Sequence, residues 1–115
     1  MPWATSDAST VAFGKVAAAL ELLALYAPAR AQRVRRLGGI LISGTKKMYP
    51  ARYLPRSDLC QLWETFVLAS ETTPERVATV LVHEATHAWL FRLGFGYEEA
   101  IRVRIERVCI RAALR

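Results

Sequence analysis

Both histidines of the chain, His83 and His87, stand four residues apart in the stretch VLVHEATHAW, with Glu84 directly after the first. On an α-helix four residues advance the chain by about 6 Å and return the side chain to within about 40° of its starting direction. The two imidazoles then share a face and can hold one zinc ion, each giving a nitrogen at about 2.0 to 2.1 Å. Glu84 lies alongside, within reach of a water at the metal without being a ligand. Such a set suits hydrolysis: zinc lowers the pKa of its water toward about 7 and polarises a carbonyl, while the glutamate moves the proton to the leaving amine. In a shuffled chain of this composition the arrangement arises on the order of once in a thousand. Val80, Leu81, Val82, Ala85 and Ala88 around it are all uncharged, as a buried active-site helix requires.

A zinc site with an open position for water needs a third protein ligand. Glu98, Glu99 and Glu106 lie downstream. The metal belongs near the level of residue 85, nine residues or about 14 Å before a turn at Gly94. A returning helix that starts near Tyr97 climbs the same distance by Glu106, whereas Glu98 and Glu99 remain at its foot.

HEATH followed by eighteen residues and then Glu106 resembles the gluzincin pattern of zinc metallopeptidases. The resemblance implies His83, His87 and Glu106 as zinc ligands, Glu84 as general base and a peptide or protein substrate. It also implies a minimal zincin-like α+β domain similar to the single-domain minigluzincins. In that family the strand before the active-site helix is an edge that pairs with extended substrate, which singles out WETFVLAS. The motif match covers roughly the last 45 residues, and the first 70 support it only through the order of elements.

The chain departs from the pattern around Glu106, where RIERVCIR places Ile110 at the turn that carries an acidic residue in thermolysin-like enzymes. A ligand histidine needs a hydrogen-bond acceptor on its other nitrogen, and Asp58, Glu64, Glu71 and backbone carbonyls are the candidates. With no third histidine, the oxyanion would fall to Tyr49, Tyr53, Tyr97 or Arg102. Cys109, three residues after Glu106, could instead close the site and make it structural. The competing reading is therefore a non-catalytic zinc-stabilised module that recognises peptides or acidic partners.

The elements that must position these residues can be read in order. Ser9 or Thr10 can cap a helix over about 10–27, with Phe13, Val16, Leu20 and Leu23 along one side and Pro28 as its stop. RAQRVRR reads as a short helical piece, and LGGILISG, bounded by glycines, as a strand. Pro50 demotes KKMYPARYL to a short edge strand or loop. LCQLWETFVLAS, residues 59–70, carries enough branched and aromatic residues to read as a further strand. Thr73 as cap, Pro74 at the first helical position and Glu75 in the first turn open the helix that carries HEATH, and Gly94 stops it. A last helix is expected from Tyr97 to Leu114, with Ile101, Ile105, Val108 and Ala112 on one stripe. The fold class is α+β: an N-terminal helix, a sheet of two to four strands, the active-site helix and a C-terminal glutamate helix.

At 115 residues and 53% hydrophobic content the chain fits one domain. No run of 18 uncharged apolar residues is present to span a bilayer. VAAALELLALYAPARA is broken by Glu21 and lacks a basic start, so it reads as an amphipathic helix rather than an export signal. Cys60 and Cys109, alone and far apart, give no disulfide framework, and a reduced cytoplasmic setting is the expectation. The net charge of +6 suits an anionic partner. Its arginines, however, are interleaved with apolar residues as on solvated helix faces, with no finger or helix-turn-helix signature, which argues against nucleic acid.

Overall fold

The computed structural model describes residues 7–44 and 48–94 of the chain. Among them the order is α1 (Asp7–Tyr26), α2 (Pro28–Arg35), β1 (Gly39–Ile42), β2 (Ala51–Leu54), β3 (Leu59–Leu62), α3 (Glu64–Leu68) and α4 (Pro74–Arg92). The class is α+β as expected, with three strands in the described sheet. The expected C-terminal helix, with Glu98, Glu99, Arg102, Glu106 and Cys109, lies outside the described residues.

The start of α1 at Asp7 puts Ser9 and Thr10 inside the helix rather than at its cap. Its buried stripe is Ala12, Val16, Ala19 and Leu23, while Phe13 is 58% exposed. The stripe expected from side-chain size runs through Phe13 and Leu20 where the buried one has Ala12 and Ala19. The actual one turns toward alanines because α1 packs against α4, whose own buried side includes Ala78, Ala85 and Ala88. Small residues on both partners let the backbones approach closely. Pro28 does end α1, and it also opens α2 at the first helical position, where its missing N–H is no loss.

The sheet order is β1-β3-β2, with β3 parallel to β1 and antiparallel to β2. Ile40 and Tyr53 both pair with Cys60 and so share its face. That face meets the helices: Cys60 is fully buried, and the Tyr53 ring lies 6.3 Å from Phe91 of α4. On the opposite face Arg52 Nε donates to Gln61 Oε1 at 2.8 Å, and Gln61 Nε2 donates to Ser43 Oγ at 3.0 Å.

Residues 59–70 do not form one strand. β3 ends at Leu62, the Glu64 N–H donates to the Gly44 carbonyl, and α3 follows. The buried residues Trp63, Phe66 and Val67 are spaced i, i+3, i+4, which is a helical pattern that a high apolar content conceals. Gly44 sits at φ +79°, and a Cβ there would lie 3.0 Å from the Trp63 ring, so glycine is required where the chain turns under the indole.

Candidate metal centre

The helix that carries the motif is set by its ends. Thr73 Oγ1 accepts the Arg76 N–H at 3.1 Å, Pro74 begins α4, and Glu75 lies in the first turn, where the helix dipole favours a negative charge. Leu93 caps the other end, and Gly94 follows at φ +94°. Between these ends α4 is buried nearly all round, with Val77, Leu81 and Val82 among its fully enclosed side chains. α2 docks through Arg33, whose guanidinium lies 4.8 Å from the centroid of Trp89 and donates to Thr86 Oγ1 at 3.4 Å.

On this helix the two imidazoles stand side by side as the spacing requires. Their ring centroids are 5.0 Å apart, with 64° between the planes. The ligand atoms of His83, Glu84 and His87 all lie within 4.8 Å of one another. His87 and Glu84 are buried and His83 is half-buried. Two imidazoles and a carboxylate grouped in this way match the donors that zinc and similar ions take, so the group could hold a metal ion. Glu106 lies outside the described residues.

Glu84 also faces the sheet. Burial pushes the Cys60 thiol well above its ordinary value, and the nearby Glu84 carboxylate pushes it further. Cys60 therefore stays a neutral thiol beside the carboxylate. Nothing in the sequence pairs a strand residue with Glu84, since the neighbourhood depends on how β3 lies across α4.

The candidates for supporting roles are placed elsewhere. Asp58 sits at φ 55° and takes a hydrogen bond of 2.6 Å from the Tyr53 hydroxyl and two of 3.0 Å from Arg92 Nη2. Glu71 is exposed and accepts from Ser70 Oγ at 3.4 Å. Tyr49 packs against Trp63, ring to ring at 6.0 Å. WETFVLAS is not an edge strand: β3 is central, and Trp63 and Phe66 are core residues. The sheet edge beside α4 is instead β2, whose outer side pairs with no strand among the described residues.

Asp58 ties the β2–β3 turn to the end of α4. Burial pushes its carboxyl up, but the hydrogen bonds from Tyr53 and Arg92 and the Arg92 charge outweigh this and hold it below the usual range. Burial and the bond to Asp58 push the Tyr53 phenol up to about 12, so it remains a donor. A carboxyl with a lowered folded pKa adds stability that is present above its unfolded value, about 3.9. That stability is lost as pH falls through the folded value. Urea midpoints of wild type and Asp58→Asn are therefore expected to differ at pH 7 and to converge below pH ~4. A gap that stays constant through that window would rule out the ionised pair.

No protein-family model, curated protein or solved structure matches the chain.

Proposed function

We propose that the protein is a zinc metallopeptidase of the gluzincin type, in which His83, His87 and Glu106 hold the ion and Glu84 is the general base. The reading is carried by His83 and His87 standing together on one face of a buried helix, with the Glu84 carboxylate in the same group. When bound, zinc supplies a water of lowered pKa and a Lewis acid for the substrate carbonyl. Glu84, buried beside the pair, would be the group that accepts a proton from the attacking water and delivers it to the leaving amine. β2 lies against α4, and its outer side, which pairs with no strand among the described residues, offers main-chain N–H and C=O groups to an extended peptide. Gln61 and Arg52 brace the outer face of this strand pair. The family assignment rests on the HEATH-to-Glu106 spacing, and the described helix context supports it at His83, Glu84 and His87.

Metal content per chain after dialysis tests the ligand set. Wild type and Glu99→Ala are expected to retain about one zinc, whereas His87→Ala and Glu106→Ala lose it. Wild type that holds no zinc after refolding with the ion removes the proposal. Retention in Glu106→Ala alone would remove the third ligand.

A further inference from the structure

A concavity of about 570 Å³ opens where the ends of α2 and α4 meet the β2–β3 turn, lined by Arg36, Asp58, Trp89, Arg92 and Leu93. It lies away from the histidines. Arg92 is nine residues beyond His83, which places it half a turn round the helix and on the opposite side. We infer that this concavity is a docking site for a segment of a partner protein rich in aspartate and glutamate.

Charge is the first argument. Arg35, Arg36 and Arg56 are exposed, and their guanidinium groups make no hydrogen bond or ion pair among the described residues. Among the described residues the lining has one acid, Asp58, already engaged by Tyr53 and Arg92. Arg92 uses a single nitrogen, Nη2, for both Asp58 oxygens and for the Arg36 carbonyl at 2.6 Å. Its other donors, and the whole Arg36 fork, take no partner among the described residues and can meet an incoming carboxylate. Arginine suits this task because its planar fork matches a carboxylate in two parallel bonds.

Shape and composition decide the kind of anion. The hollow is broad and open, so it would not enclose a small ligand, but it fits side chains carried on a larger surface. Tryptophan and arginine are the residue types that dominate protein interfaces when a few contacts carry the affinity. A nucleic-acid strand would want a bare aromatic ring on which to stack. Here one face of Trp89 is already covered by Arg33. Arg36 and Arg92 also meet beside Asp58, through the Arg92 bonds to Asp58 and to the Arg36 carbonyl, rather than along a groove.

The site is independent of the metal reading. It is tested on the full chain by fluorescence anisotropy with a labelled oligoglutamate, with oligoglutamine and an oligothymidylate as comparisons, with and without EDTA. Oligoglutamate is expected to bind, weaken as salt rises and ignore EDTA, while oligoglutamine does not bind. Arg36→Gln is expected to weaken it about three- to fivefold, the factor for one exposed charge pair, with an unchanged melting temperature. Arg76→Gln, exposed near the opposite end of α4, is expected to leave binding unaltered. Equal losses from the two variants would reduce the effect to diffuse charge and overturn the site. So would absence of oligoglutamate binding. Tighter, Arg36-dependent binding of oligothymidylate would replace it with a nucleic-acid surface.

Discussion

Glu84→Gln is expected to lower peptide hydrolysis by about 10² to 10⁴ while leaving one zinc bound, because it removes only the proton acceptor. Glutamine keeps the volume and one carbonyl oxygen, so the buried space beside Cys60 stays filled. The variant is expected to fold as the wild type does. The check is mass-spectrometric detection of cuts in a mixture of unstructured peptides, with zinc content and melting curves on the same samples. Cleavage by the variant at the wild-type rate would take Glu84 out of the reaction. Zinc-loaded wild type that cuts nothing would favour the non-catalytic module, in which the histidine pair only braces the fold.

How far the sequence discloses this arrangement depends on where its information is local. The ends of α4 are legible because Thr73, Pro74 and Gly94 each act through their own backbone geometry. The histidine pair is legible for the same reason, since a shared face four residues apart needs only the helix. Local signals fail where a partner decides. Residues 59–70 are rich in strand formers, yet their i, i+3, i+4 burial becomes visible only once Trp63, Phe66 and Val67 have a core to face. The stripe of α1 could be found only by knowing that its partner, α4, is itself lined with alanine.

Contacts between distant segments were not legible at all. Its acidity alone makes Asp58 a candidate to support a histidine, whereas its left-handed backbone turns it toward Tyr53 and Arg92. The parallel pairing of β1 with β3 likewise depends on β2, which lies between them in sequence but beyond β3 in the sheet, so that among the described residues β2, and not the segment before α4, is the edge beside that helix. The site is thus the product of one locally coded helix and a sheet whose order is fixed by tertiary packing. A substitution in that packing should be felt at the histidines.

Leu81→Ala is the substitution that tests this most severely. Leu81 is fully buried two residues before His83 and points to the far side of α4, into the core shared with α1 and the sheet. Deleting its side chain removes apolar contact and leaves a cavity, at a cost of about 2 to 5 kcal/mol. For a chain of this length the melting temperature should fall by about 8 to 20 °C. Leu81→Met, which conserves volume, should cost less than about 1.5 kcal/mol. Zinc should offset part of the loss, because an ion that binds only the folded state adds about 2.7 kcal/mol at a hundredfold excess over its Kd. His87→Ala should gain nothing from the same addition, since the ligand pair is broken. A scanning-calorimetry series of wild type, Leu81→Ala, Leu81→Met and His87→Ala, with and without zinc, separates the two effects. A mild shift in Leu81→Ala would mean that α4 is not the centre of the core. A shift with zinc in His87→Ala equal to that of wild type would mean that the ion binds somewhere other than between the histidines.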